Sequence, residues 1–536
     1  MKTKSFISFA VCVAVSVLMC SCSNEESADS NSNGQLTAFT GGIVTEAPME
    51  RMQLSSPEIS TEVPGFLTRT SMNRNAIGGQ GAFLWEPKDV IYVADDNNKL
   101  YKSQNTINDA VARATFFVDG SYTTKGQYDV YYCGTNSGVG EKKVVIANDQ
   151  TQVAFNNTKH FGAAGDCGVA KATKTTVAGK SGYRFDLEHK ASYLCFLPYM
   201  AIKVQRANFR IQRIEITSDN NISGTYGLTQ AGLSGTGDSK KITLNVGRDG
   251  LKLADQATAT KSIKNSLYVV IAPGIHTLKV KYTVVGAKNT VMTITKSYKS
   301  HNFGANKICD IPVNLGVRHY SGRNYYMWDA AENYWSGHEW DAATPWQPTV
   351  KDASNDGYPK SNADPRWYHE GRGAFEASVN PLFKELPNAN EMAWYVLKGD
   401  GHWDNSTQWE VFGEIQTGGI WLKKLSVIAQ EYGRLPFELK LKDPNGKNLL
   451  TYYKDYGFSL KNGKPADSEI GKYFFLPGLS FYVKGKLSGP DSTGDYWSSS
   501  ADPSTSGFAY SLGFTSMGVN IHYVNCNRGI VAQPFE

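Results

Sequence analysis

Two short stretches hold the side chains best suited to chemistry: WYHEGRG, with His369 beside Glu370, and GHWDN, with His402 two residues before Asp404. An imidazole next to a carboxylate can move a proton or, with further ligands, hold a metal ion. Neither stretch completes such a site. There is no GxSxG turn to expose a nucleophilic serine and no HExxH pair for zinc. AGKSG at residues 178–182 fails as a phosphate loop, because Lys174 stands where the first glycine is required. Lone His and carboxylate side chains beside Trp are more often satisfied structural partners, so the reading is no catalytic residue, no metal and no cofactor. The enzymatic alternative is a surface hydrolase working through His402 and Asp404.

Composition narrows the class further. Lys plus Arg number 55 against 50 Asp plus Glu, a net charge of +5 spread without a basic stripe, so nucleic acid is not an expected partner. Dense Thr, Tyr, Val and Gly, with 51 glycines, favour short strands joined by turns. Lys2 and Lys4 precede an apolar run from Phe6 to Met19, too short to span a bilayer and suited to the core of a signal peptide. The following MCSCSNEE resembles the lipobox of bacterial lipoproteins. That resemblance implies a signal peptide over 1–21, acylation of Cys22 and an outer-membrane lipid anchor, with Cys20 as the competing position. Ser23, Asn24, Glu25 and Glu26 resemble the acidic signal that sends some lipoproteins to the outer face of that membrane. The cysteines beyond Cys22, namely Cys133, Cys167, Cys195, Cys309 and Cys526, are an odd and scattered set, which argues against a disulfide framework.

Residues 22–35 are polar and Ser/Asn-rich, a flexible tether. From Leu36 onward strand signals recur at short intervals, among them WEPKDVIYV, YRFDL, FRIQRIEITS and HTLKVKYTVVG. Tyr183, Phe185 and Leu187 alternate with polar residues, as do Leu278, Val280 and Tyr282, the pattern of half-buried antiparallel strands. The expected fold class is mainly β, with two stacked sandwich lobes over 36–316. TRT at Thr68–Thr70, the Trp85–Val93 strand, FDLEHKASYLCF at Phe185–Phe196 and FGANKICDIPVNLG at Phe303–Gly316 resemble the fimbrillin family, the subunits of donor-strand pili. The resemblance implies cleavage after a basic residue, loss of the first strand, and entry of a strand from another fimbrillin subunit into the vacated groove. Arg51, Arg69 and Arg74 are the candidate cut sites, and Arg69 is preferred.

Past residue 320 the chain turns aromatic: ten of the eleven tryptophans lie there. LPNANEMAWYVLKGD carries Asn388 three residues before Glu391, a helix start with a capping-box acid. GGIWLKK, FFLPGLSFYVKGKL, YWSSS and a terminal NRGIV follow. In this order they resemble the C-type-lectin-like domains of bacterial surface proteins, which implies a compact α+β unit over 320–536. Calcium-binding members carry EPN or QPD before WND; this chain has neither, and Trp403-Asp404-Asn405 reverses the last pair. Trp497 and the row Phe508, Tyr510, Leu512, Phe514 are expected in the core, with the three serines at a tight strand edge.

In SMGVNIHYVNCNRG, Asn520 and His522 alternate with apolar residues ahead of Asn525 and Asn527, and Tyr523 sits among them. In some lectin-like adhesins this terminal stretch is the ligand face. The candidate ligand-binding residues are therefore Asn520, His522, Tyr523, Asn525, Asn527 and Trp403, with a surface glycan or protein as the partner. A folded C-terminal domain leaves no evident strand to donate, so the implied role is a pilus-tip adhesin displayed at the cell surface. A stand-alone glycan-binding lipoprotein is the alternative.

Overall fold

A period of two is what a strand with one buried face requires. The computed structural model describes residues 36–42, 49–51, 71–78, 81–87, 89–105, 107–135, 142–177, 180–253, 263–286, 289–490 and 492–536. In it Tyr183 and Phe185 lie buried on the strand Lys180–Asp186, and Leu278, Val280 and Tyr282 on Gly274–Val285. Strands take 44% of the chain and helices 9%, so the protein is mainly β. Among the described residues no helix is long and apolar enough to cross a membrane. Cys22 and Arg69 lie outside the described residues.

The first of the sheets has nine strands, and the N-terminal strand Thr37–Gly42 lies inside it. That strand runs parallel to Lys180–Asp186 and antiparallel to Ala114–Val118. Beneath it Phe39, Trp85, Phe116, Tyr128 and Phe185 form an aromatic core. A second core is shared by a four-stranded sheet (Met49–Arg51, Ile308–Asn314, Ser192–Tyr199, Leu267–Ile271) and a six-stranded one built around Arg210–Ser218 and Gly274–Val285. The two are stitched by glutamine. Gln150 and Gln152 stand on the edge strand Asp149–Gln152, and their amides both donate to and accept from the Leu267–Ile271 strand and its approach. The open backbone groups along that edge are thereby satisfied without a further strand.

Arg74 ends the short strand Ser71–Arg74 and is buried with Asp310 in a two-pronged ion pair, Nη1–Oδ1 2.7 Å and Nη2–Oδ2 2.6 Å. Gly78 N also donates to Asp310 Oδ2, at 3.1 Å. This removes Arg74 from the candidate cut sites, because a protease needs an exposed, extended basic residue. Arg51 is paired opposite Asp310 in a parallel ladder. Loss of one partner of the Arg74–Asp310 pair leaves an uncompensated buried charge, so Asp310→Ala should destabilise the fold by about 3–5 kcal/mol in urea unfolding. A change under about 1 kcal/mol would mean the pair is not desolvated.

The hairpin Trp409–Gln416 joins the two halves of the chain. Trp409, Val411 and Phe412 enter the C-terminal core, and Ile415 enters the earlier one. Thr290 Oγ1 donates to Glu414 Oε2 at 3.1 Å, and the short strand Arg318–His319 lies parallel to Trp409–Glu410. His319 Nδ1 bonds the buried Glu410 carboxylate; that bond raises the imidazole above its usual 6.5, against the opposing effect of burial. A raised folded-state value contributes stability below the unfolded value and loses it as pH climbs through the folded one. Stability should therefore fall as pH rises from about 6.5, and His319→Gln should flatten that part of the curve in thermal melts taken pH by pH. An unchanged slope in the variant would remove His319 as the cause.

Candidate ligand-binding face

The C-terminal sheet has six strands in the order Tyr325–Tyr326, Ile530–Val531, Thr493–Ala501, Phe508–Thr515, Gly518–Asn525, Tyr456–Ser459. Its strand Thr493–Ala501 is buried on both faces. Tyr496, Tyr510, Leu512, Phe514 and Ile521 pack in one core with Met392, Ala393, Tyr395 and Val396 of the helix Ala389–Lys398. That helix starts at a capping box, Asn388 N to Glu391 Oε2 at 2.9 Å and Glu391 N to Asn388 Oδ1 at 3.0 Å. Trp497 is fully buried but belongs to the other core, with Trp328, Phe383, Ala509 and Val524. The expectation that Trp497 and the Tyr510, Leu512, Phe514 row form one core is thus corrected: a strand alternates sides, and 497 and its cross-strand partner Ser511 face away from 510 and 512. Phe508 is only half-buried.

The three serines are ties between elements. The ladder shifts register between Trp497 and Ala501. Ser500 Oγ accepts from Ala389 N at the start of the helix and donates to Glu376 Oε1, each at 3.1 Å. Trp328 Nε1 donates to Ser498 O at 3.0 Å. A small hydroxyl satisfies such crowded backbone where a larger side chain would not fit.

Toward its other end, the Trp497 face of the sheet runs out of cover. There a groove of about 460 Å³ opens, with Asp495, Gly513, Asn520, His522 and Arg528 at its polar floor and Phe458, Phe481 and Met517 at its apolar walls. Gly513 lies across the ladder from Asn520, and a Cβ there would come within 2.7 Å of His522 Cε1 and 2.8 Å of Asn520 Oδ1. The groove therefore depends on the missing side chain. Asp495 is 4% exposed; no donor sits at hydrogen-bonding geometry on its Oδ1, and the nearby Ser511 hydroxyl, which pulls its carboxyl down, makes no hydrogen bond of normal geometry either. Burial pushes its carboxyl above the ordinary aspartate value, with His522, Ser511 and Arg528 pulling the other way. Arg528 lies 5.5 Å over the Phe481 ring.

Of the six residues expected to bind ligand, the structure brings Asn520 and His522 together here, with His522 Nδ1 3.1 Å from Asn520 Oδ1. Asn525 Oδ1 accepts from Asn527 N at 3.1 Å, and Asn525 O accepts from Arg528 N at 3.1 Å, so these two asparagines shape the turn that carries Arg528. Tyr523 stands on the opposite face, edge-on to Tyr453 and Phe508 at 4.9 and 5.3 Å. Trp403, half-buried on the strand His402–Asp404, packs toward Phe514 and does not line the groove. The missed residues are Asp495, Gly513, Phe481 and Arg528. An acid set between Gly494 and Tyr496 in an otherwise core-like strand was the signal available for the first of them.

The two stretches that opened the sequence reading are structural. His369 Nδ1 bonds Asp329 Oδ2 at 2.8 Å, and the same carboxylate collects the N–H groups of Ser378, Val379 and Asn380. Asp404 accepts from the backbone and hydroxyls of Ser406 and Thr407 and from Trp421 Nε1, which together hold it down to about 2 despite partial burial. His402 bonds Gly463 O instead, at 3.1 Å. Among the described residues no three His, Cys, Asp or Glu side chains cluster as a metal site. The five described cysteines are buried, and no disulfide joins any two of them.

No protein-family model matches the chain, and no curated protein matches it. Among solved structures it is similar to a candidate cell-adhesion protein of Bacteroides ovatus, at 15% identity over 53% of this chain and 93% of that one, with a TM-score of 0.32. It is also similar to a candidate cell-adhesion protein of Bacteroides uniformis, at 14% identity over 43% and 88% of the two chains, TM-score 0.25. A fimbrial protein of Bacteroides ovatus aligns over 92% of this chain and 97% of its own, at 10% identity and a TM-score of 0.24. At these values the function has to be argued from the site.

Emptying the Trp497 pocket should cost about 3–5 kcal/mol, since the ring is fully enclosed and its Nε1 donates to Tyr326 O at 2.8 Å. Guanidinium unfolding of Trp497→Ala in the full chain measures this; a loss under about 1 kcal/mol would return Trp497 to the surface.

Proposed function

We propose that the protein is a surface-displayed fimbrial adhesin whose C-terminal face meets the ligand. In this reading the chain is lipidated at Cys22 in the outer membrane, cut after Arg69, and joined to other fimbrillin subunits through the β-sandwich region of residues 36–316. The region 320–536 is the lectin-like adhesive domain, and it stands at the fibre tip. The observation that carries the reading is the placement of the C-terminal end. The last strands, Gly518–Asn525 and Ile530–Val531, are held within the six-stranded sheet, so that end is occupied and its free surface is a groove. In this reading the chain receives a strand through its β-sandwich region, and the paired strands Gly518–Asn525 and Ile530–Val531 stay in their sheet.

The receiving site follows from the position of Thr37–Gly42 between two other strands. Its departure would open two rows of backbone groups at once, beside the slot now filled by Phe39 against Tyr122 and Tyr183, at ring distances of 4.9 and 5.0 Å. A Cβ on Gly41 would come within 2.6 Å of the Phe185 ring. An incoming strand therefore needs a large apolar residue at the Phe39 position and no side chain two residues later.

Intact mass and N-terminal sequencing of the mature protein from its native cell surface test the assembly. The expected result is an N-terminus at Thr70 in a high-mass fibre fraction. An acylated Cys22 on an uncut monomer would favour the free-standing glycan-binding lipoprotein. For the adhesive face, Asn520→Ala with His522→Ala should abolish attachment of the displaying cells while leaving unfolding unchanged within about 1 kcal/mol, since Asn520 is exposed and His522 only half-buried.

A further inference from the structure

The groove carries one carboxylate, one guanidinium, an imidazole and a carboxamide, and that mixture limits what can enter. Asp495 is almost wholly buried, and one of its oxygens has no donor at hydrogen-bonding geometry. A buried acceptor left open in this way is costly unless something else fills it. None of the ion pairs between described residues involves Asp495 or Arg528. Each therefore penalises a ligand of its own sign: an anion would meet Asp495, and a cation would meet Arg528. A neutral ligand rich in hydroxyls escapes both penalties. It can donate to the carboxylate and accept from the guanidinium and the Asn520 amide. The walls fit the rest of such a molecule, because Phe458 is 56% and Met517 82% exposed and both offer apolar surface to the C–H face of a ring.

We propose that this groove binds a neutral sugar directly, with Asp495 accepting hydroxyl hydrogens at its floor and Arg528, Asn520 and His522 donating around it. The proposal rests on the reading of the terminal face as adhesive and deepens it by naming the ligand class and two residues, Asp495 and Arg528. The carboxylate is the selective element, since it is fixed by burial whereas Asn520 is exposed and His522 and Arg528 are half-buried. Gly513 keeps the floor open. It lies at an ordinary φ, so an added methyl meets no backbone strain and acts only by pushing His522 and Asn520 into the space.

The test uses the full mature chain and a defined probe set: the methyl glycosides of galactose, glucose and mannose, with free glucuronic acid and glucosamine as charged counterparts, titrated by calorimetry with and without EDTA. Binding of at least one neutral glycoside is expected, tighter than that of both charged sugars and unaffected by EDTA. Asp495→Asn should weaken it by about tenfold or more, because one acceptor oxygen becomes a donor, while thermal stability holds or rises. Gly513→Ala should weaken it comparably, which keeps the test alive if one variant folds poorly. Preference for a charged sugar, loss in EDTA, equal affinity in Asp495→Asn, or no binding of any neutral glycoside would each overturn the proposal. Cell attachment separates the two readings. If Asn520→Ala with His522→Ala abolishes attachment while no neutral glycoside binds, the adhesive face stands and the sugar fails. If attachment survives that pair, both fail.

Discussion

Burial of the strand Thr493–Ala501 on both faces is the constraint around which the C-terminal half is arranged. A strand in that position has no solvent side to give its polar groups, so its neighbours must cover it twice. The helix Ala389–Lys398 covers one side. The segment around Trp328, Phe383 and Leu386 covers the other, and the serine run binds to both covers at once through Ser498 and Ser500. Cover is complete only along part of the strand. Where the second layer ends, at Asp495, the sheet meets solvent and the groove begins.

The earlier half solves a different problem, that of sheet edges. One edge of the four-stranded sheet is closed by side chains, since Gln150 and Gln152 supply amide donors and acceptors in place of a strand. The other is closed by Met49–Arg51, and the gap in the nine-stranded sheet is closed by Thr37–Gly42. Both of these strands precede Arg69 in the chain. Thr37–Gly42 is held by side chains as well as by pairing, since Phe39 is buried in the aromatic core and Thr40 Oγ1 lies 3.0 Å from Thr115 Oγ1, while Arg74, further along, is locked to Asp310 in the interior.

How legible this was depends on the kind of signal. Alternation at Tyr183 and Phe185 and at Leu278, Val280 and Tyr282 revealed strands, because a half-buried strand must alternate. Asn388 and Glu391 revealed a helix start because a capping box is local in sequence. Trp497 was placed in the core correctly but grouped with a row that packs on the other face, since two buried faces erase the contrast that alternation relies on. For the candidate site, Asn520 and His522 stood out as polar residues in an apolar strand, and they do line the groove. Tyr523 and Trp403 did not belong with them, because aromatic type gives no information about which face a ring occupies. Arg528 was hidden for another reason: its place depends on the turn that Asn525 and Asn527 form, which is a matter of backbone geometry.

Asp495 makes the sharpest case, because fold and site pull in opposite directions there. Every neighbouring position on its strand, from Gly494 through Ala501, is buried, and a residue with an apolar side chain would fill the same space without a desolvation cost. Ser511, Tyr496 and the Arg528 charge offset that cost in part, but no ion pair among the described residues includes Asp495, and its Oδ1 has no donor at hydrogen-bonding geometry. Other carboxylates of this half are surrounded, Asp404 taking five donors and Asp329 four, although Asp502 also keeps one buried oxygen without a donor. Asp495 differs from both in being left open toward a groove. A buried acceptor without a donor is costly to the fold, and that cost is what the proposed ligand would offset.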